Sequence, residues 1–448
     1  MELMKLSELM GALSHALDIT EGQPEGHCVR CCWIGMHIGQ RLQLPPDDLW
    51  ALYYTLLLKD LGCSSNAARI CQLYATNDLS FKRDFKWVDG SLPQVLRFVL
   101  RNTGPQAGLI ERLKALGGIL SNGDAIAQEL IQTRCTRGAD IARQLRFPQG
   151  VSDGIHSLDE HWNGEGRPAG LTGSAIPIAA RIALLAQVVD IHHAAGDQHN
   201  AIEEVRARCG SWFDPELVEA FLAVASDAAF WQVLGSAQIE QAIYAMEPGG
   251  HEVLVDEDYL DDIAEAFGQV VDAKSPYTAG HSARVGLYTA LLAESIKVPD
   301  ARRRWLKRGA LLHDVGKLGV SNTILDKPGK LDDAEWEAVR RHASYTEAIL
   351  GRVRIFDELA RVSGAHHERL DGKGYPRGLL AQDIALETRI ITTADIFDAI
   401  TAERPYRGAV PVEKTLAIMK DSVGSAIDAE CFSHLQQIIR NSPELFPQ

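Results

Sequence analysis

The chain repeats itself, and this constrains its architecture more than anything else in the sequence. The segment GHCVRCCWIG from Gly26, with LLLKDLG further on, aligns with GHSARVGLYT from Gly280 and the later LLHDVGK at one offset of 254. His27 pairs with His281, Arg30 with Arg284, Pro45 with Pro299, Asp60 with Asp314 and Gly62 with Gly316. A second block aligns at an offset of 208. It matches Gly164, Gly166 and Pro168 with Gly372, Gly374 and Pro376, then Arg181-Ile182 with Arg389-Ile390 and Asp190 with Asp398. The fall in offset gives the first copy about 46 extra residues between Leu61 and Arg134. Self-similarity at this period marks a duplicated domain rather than a short solenoid repeat. The expected division is 1–245 and 255–448.

Both copies read as helix. After His281, the residues Val285, Tyr288, Leu292 and Ile296 recur at steps of three and four, the buried face of a helix. Leu306, Ala310 and His313 continue this spacing in a second helix. Ile390, Ala394, Phe397 and Ile400 mark a third, with Asp395 beside the apolar stripe. Only HEVLVD, from His251, has the look of a strand. The expected fold is all-α: tandem helical domains broken by Pro and Gly clusters at Pro45-Pro46, Pro168-Gly170 and Pro248-Gly250.

A formal charge of -15 over 448 residues argues against a general binder of nucleic-acid polymers, which needs a basic face. The 46% hydrophobic content is ordinary for a globular protein. Eight cysteines lie scattered, mostly in apolar surroundings and without a disulfide framework, which fits a reducing compartment. The opening MELMKLSELM lacks a secretory pattern, and no stretch reads as the roughly 18 to 20 apolar residues of a membrane span. A cytoplasmic protein that does not engage the membrane is expected. Cys28, Cys31 and Cys32 fall on the helix aligned with the one after His281, so packing explains them better than a metal or redox cluster. His192 and His193 are expected at the surface.

The second copy offers a metal five imidazoles and two carboxylates: His281, His313, Asp314, His342, His366, His367 and Asp395. Such donors suit iron, manganese, zinc, cobalt or nickel better than calcium or magnesium. The adjacency of His313 and Asp314 lets one carboxylate bridge two ions while the imidazole caps one. Two ions roughly 3.5 to 4 Å apart acidify a water and hold the oxygens of a phosphoryl centre during in-line displacement. The reaction class implied is phosphoester hydrolysis. Lys317 lies four residues after His313, one turn along if the helix persists; it either meets a phosphate oxygen or snorkels to solvent.

The ordered set of GHS-x-RV from Gly280, HDVGK from His313, His342, HHERLDGKGYP from His366, and Asp395 resembles the HD-GYP family, a branch of the HD phosphohydrolases, over residues 255–440. The resemblance implies an all-helical domain holding divalent ions, iron or manganese foremost, that hydrolyses cyclic di-GMP to linear pGpG or onward to GMP. Some members act on cyclic GMP-AMP. It implies that His281, His313, Asp314 and Asp395 serve one metal, and that Asp314 bridges to a second held by His342, His366 and His367. Asp314 and Lys317 would be the catalytic pair, with Lys317 on the scissile phosphate. Arg369 would face the ligand. Gly374, Tyr375 and Pro376 would form a loop that recognises substrate, docks a GGDEF-type synthase domain, or simply turns the chain. Three-metal members tend to carry Glu where this chain has Tyr277, so two ions and a pGpG product are expected. The expected function is a cyclic di-GMP phosphodiesterase. The alternatives are an enzyme for cyclic GMP-AMP or another nucleotide, and a receptor that binds without hydrolysis.

In the first copy the seven ligand positions read His27, Lys59, Asp60, Arg134, Leu158, Asp159 and Gln187. Two survive. Positive charge and missing donors disfavour metal there. The first copy thus resembles a degenerate HD-type domain, expected to act as a sensory or dimerising module, which would make the protein a homodimer, or as a structural partner.

Overall fold

The computed structural model describes residues 5–105, 107–251, 253–404 and 407–446. Helix dominates, and among the described residues β structure is limited to isolated bridges such as Asp371 with Leu380. The all-α expectation is met. The strand expected from His251 does not form: His251 and residues 253–256 are irregular, with Glu252 outside the described residues. Val253 and Leu254 are exposed there, and among the described residues the alternating pattern has no partner strand to hydrogen-bond.

The chain divides into two compact units, one ending at Asp256 and the other starting at Glu257. In the first, the helix His27–Arg41 packs against Pro46–Leu58 and Ile178–Ala195. Pro46 opens its helix at the position where a missing N–H costs nothing. Ile178–Ala195 is long and apolar enough to cross a membrane, a span the sequence reading did not anticipate, but 67% of it is buried inside the unit. Its buried Asp190 bonds to His27 and Arg30, as befits a core helix. His192 and His193, expected at the surface, are half-buried near the end of this helix, their rings 4.7 and 5.0 Å from those of Trp87 and Trp231. The helix continues past Asp190 and carries them against the tryptophans.

The extra residues of the first copy build helices Ala67–Tyr74, Asp78–Phe85 and Leu92–Asn102, and the opening turns of Leu109–Gln144. That long helix bends at Asn122, where φ is -131°. The segment encloses a small apolar core of its own around Tyr74, Phe81, Phe98 and Ile119.

In the second unit, His281–Ser295 packs on Asp300–Leu312 and Leu386–Thr401, and Asp333–Leu350 packs on Asp357–Gly364. Val285, Tyr288, Leu292, Leu306, Ile390 and Phe397 form its core, as their spacing predicts. A capping box between Asp332 and Glu335 starts the Asp333–Leu350 helix. Burying these stripes turns the titratable side chains of the same helices toward one point.

Candidate metal centre and active site

His281 opens its helix, while His313 and Asp314 directly follow Asp300–Leu312. His342 lies within Asp333–Leu350, His366 and His367 come just after Asp357–Gly364, and Asp395 belongs to Leu386–Thr401. All seven expected ligands meet. The ligand atoms of His342, His366 and His367 lie within 4.8 Å of one another, as do those of His281, His313 and Asp395.

Asp314 joins the two groups. Its Oδ2 lies 3.3 Å from His281 Nε2 and 3.4 Å from His313 Nε2, and its Oδ1 lies 3.5 and 3.6 Å from the Nε2 atoms of His342 and His366. Asp395 Oδ1 stands 3.4 Å from His281 Nε2 and 3.7 Å from His313 Nε2. One carboxylate thus offers an oxygen to each of two imidazole sets, the geometry a bridging ligand requires.

The hydrogen bonds show which nitrogens are free. His313, His342 and His366 each donate from Nδ1 to the carbonyl three residues back, at 2.6, 2.5 and 2.6 Å. A carbonyl only accepts, so these rings carry their proton on Nδ1 and turn the Nε2 lone pair inward. His281 donates from Nδ1 to Asp398 Oδ2 at 2.7 Å. The Nε2 atoms of His342 and His366 then face each other at 3.3 Å, two acceptors aimed at one point. His313 Nε2 and Asp314 Oδ1 are buried without a hydrogen-bond partner. Orphaned buried acceptors are costly unless something fills the space between them, and a pair of divalent cations fits.

Burial pushes the His342 and His367 imidazoles down to about 4 and about 3, and takes His366 well below its ordinary value, so all three are neutral and ready to ligate at pH 7. His281 goes the other way. Burial opposes its charge, but hydrogen bonds to Asp314 and Asp398 outweigh this and raise it to about 9, so a proton sits there until a cation displaces it.

Lys317 does not follow His313 on a continuing helix. The α-helix ends at Leu312 and the chain tightens into a 3-10 turn over Val315–Gly319. The turn runs close against the neighbouring helix and needs glycine at 316, where a Cβ would lie 2.0 Å from the His342 carbonyl oxygen. The Lys317 ammonium consequently pairs with Asp314 inside the site instead of snorkelling.

The HHERLDGKGYP segment forms a loop over the second imidazole set. The Tyr375 ring lies 4.8 Å from that of His367, and burial raises its phenol, which stays protonated and able to donate. Gly374 is required by close approach, because a Cβ would fall 2.3 Å from Arg369 N and 2.5 Å from Glu368 Cα. The Tyr375-Pro376 bond is cis. Arg369 is held by Asp371 of the same loop, with contacts of 3.0 and 2.7 Å. Tyr277 sits half-buried in the short turn Pro276–Thr278.

Three residues escaped the sequence reading. Asp398 orients His281 and is itself held by Arg284 at 2.6 and 3.0 Å. Glu368 is buried and accepts from Arg377 N and Leu379 N at 2.6 and 2.9 Å, tying the loop together. Arg340 is exposed, its guanidinium 5.7 Å from the centre of the Tyr375 ring. The repeat held a signal for the first two, since Asp190 matches Asp398 and Glu160 matches Glu368; Arg340 had none.

A family model described as HD domain matches residues 120–217 and 265–431, in both units. The 3'3'-cGAMP-specific phosphodiesterase 3 of Vibrio cholerae is 57% identical over 443 residues, covering 99% of this chain and 96% of that protein. A cyclic di-GMP phosphodiesterase of Thermotoga maritima is 31% identical over 195 residues, 43% of this chain and 53% of that one. The crystal structure of the cyclic GMP-AMP-specific phosphodiesterase V-cGAP3 of V. cholerae is similar with a TM-score of 0.68 and 52% identity, covering 99% of each chain. Paired ligand sets, a tethered Gly-Tyr-Pro loop and end-to-end likeness agree: the chain belongs to the HD domain family, in its HD-GYP branch.

Proposed function

We propose that the second unit hydrolyses a phosphodiester bond of 3'3'-cyclic GMP-AMP and releases a linear dinucleotide. The bridging position of Asp314 between two imidazole sets carries the hydrolytic part of this reading. The choice of cyclic GMP-AMP over the cyclic di-GMP first expected is supported by the name of the relative that matches end to end. Cyclic di-GMP stands as the second reading, supported by the name of the T. maritima relative.

His281, His313, Asp395 and one Asp314 oxygen would hold one divalent ion, and His342, His366, His367 and the other Asp314 oxygen a second, with iron or manganese suited to these donors. The bound pair supplies Lewis-acid polarisation of the phosphodiester and an acidified water for in-line attack. The protein does the rest. Backbone carbonyls and Asp398 fix the imidazoles before substrate arrives, Lys317 balances charge on a non-bridging phosphate oxygen, and the Tyr375 hydroxyl donates beside His367. Tyr277 offers no carboxylate for a third ion, which supports a linear dinucleotide as end product. The first unit is non-catalytic in this reading and regulates or pairs the enzyme.

The test is turnover of 3'3'-cyclic GMP-AMP and of cyclic di-GMP by protein loaded with manganese, beside Asp314→Ala. The substitution is expected to lose at least about a thousandfold in rate, the several kcal/mol a two-ion site contributes. Equal rates in the two proteins would end the proposal.

A further inference from the structure

The family match extends into the first unit over residues 120–217, and the repeat places His27 and Asp60 where the second unit has His281 and Asp314, which raises the question of a metal site there as well. The residues at the matching positions do not fit one, and the two other buried donor groups of this unit, Glu21 with Asp60 and Cys63, and His27 with Cys31 and Asp190, are occupied by Lys86 and Arg30 respectively. The supporting frame is intact: His27 Nδ1 lies 2.6 Å from Asp190, and Arg30 holds Asp190 at 2.6 and 3.1 Å, nearly the geometry of His281, Arg284 and Asp398. At the centre Asp60 stands where Asp314 stands, equally buried. Its surroundings have changed. Lys59 pairs with Asp60 Oδ2, and Lys86 Nζ lies 3.9 Å from Oδ1. Both lysines reach Gln187, the counterpart of Asp395, with Nζ to Oε1 distances of 3.4 Å for Lys59 and 2.8 Å for Lys86. Lys86 also meets Glu21 at 2.9 Å. Arg134, in place of His342, is paired with Asp159, in place of His367, while Leu158 offers no donor at all.

We infer that the ammonium groups of Lys59 and Lys86 stand in for two divalent cations about Asp60, making the first unit a metal-independent replica of the site. Each carboxylate oxygen of Asp60 faces a positive charge, as each oxygen of Asp314 faces a ligand set. The second of these charges comes from outside the duplicated frame. Lys86 directly follows the helix Asp78–Phe85, part of the segment that has no counterpart in the second unit. The inserted helices therefore close the vestigial site as well as extend the fold. A fully buried ammonium persists only when paired, and Lys59 is fully buried. Burial works against its charge, but Asp60 holds it protonated well above the ordinary lysine range. Asp60 Oδ2 is taken by Lys59, and Oδ1 accepts from the Cys63 thiol at 3.5 Å with the Lys86 charge 3.9 Å away, so a divalent ion there would meet two ammonium groups.

The inference is independent of which nucleotide the second unit cleaves. It is tested on the full chain carrying His313→Ala and Asp314→Ala, which disable the second site. After incubation with manganese and desalting, this protein is expected to retain no metal, and EDTA is expected to leave the unfolding temperature of its first unit unchanged. Retained manganese that disappears on adding Asp60→Asn would overturn the inference. Lys59→Met, which strands a buried carboxylate, is expected to lower that temperature by on the order of 10 °C. Lys59→Met with Asp60→Asn should recover a good part of the loss, because both charges leave together. A Lys59→Met protein as stable as wild type, or a double variant no better than the single one, would overturn it too. Lys86→Met is the milder substitution if Lys59→Met fails to fold, and wild-type stability in that variant overturns the inference equally.

Discussion

Asp398 reaches no reacting atom, yet it decides which nitrogen of His281 is available. Its carboxylate accepts the hydrogen bond from Nδ1–H and leaves Nε2 facing Asp314 and Asp395. Asp398→Asn is expected to weaken the manganese dependence of turnover about 10- to 100-fold, with the rate at saturating manganese much less affected. A metal titration of activity separates the two, and an unshifted titration would remove Asp398 from this role. Arg340 lies further out. Arg340→Ala is expected to raise KM for the cyclic dinucleotide roughly five- to tenfold, the worth of a partly exposed cation–π or phosphate contact, while leaving hydrolysis of bis(p-nitrophenyl) phosphate unchanged. An unchanged KM would place Arg340 outside the binding surface. The seven candidate ligands were legible only as a set: one buried imidazole reads as a hydrogen-bonded core residue, whereas five with two carboxylates beside apolar stripes suit a divalent ion. Asp398 was visible only as a match to Asp190, without a role. Arg340 was not visible, since an exposed arginine on a helix looks like any solvated face until the Tyr375 ring is placed beneath it.

The loop from His366 to Pro376 shows what an element adds to its residues. Gly374 lets the chain pass against the backbone of Glu368 and Arg369, and that path lays Tyr375 on His367. Gly374→Ala must push the loop outward, and at least a tenfold loss of turnover is expected together with a fall of a few degrees in unfolding temperature. Gly166→Ala meets the same obstruction in the first unit, where a Cβ would lie 2.1 Å from His161 N. That variant is expected to lose similar stability while each folded molecule keeps its turnover; circular dichroism melts and specific activities distinguish the two. The glycines were legible as repeat matches. The 3-10 turn bearing Lys317 was not, because spacing alone extends a helix, and the close approach of Gly316 to the His342 carbonyl is a contact between segments far apart in sequence.

Across the whole chain, duplication was readable from two offsets, and the all-α architecture from the apolar period of both copies. The inserted helices were readable only as a length difference, since a segment with no second copy has nothing to be aligned with. Its internal core of Tyr74, Phe81 and Phe98 emerges only once those helices fold back on one another. The frame common to both units has a consequence for how such a protein arises. Asp190 is satisfied by His27 and Arg30 with no ion present, so a duplicated copy shedding its ligands meets no folding barrier from this part of the molecule. The Asp60 charge is the exception, since it needs a cation beside it, and Lys59 provides one in place of an ion.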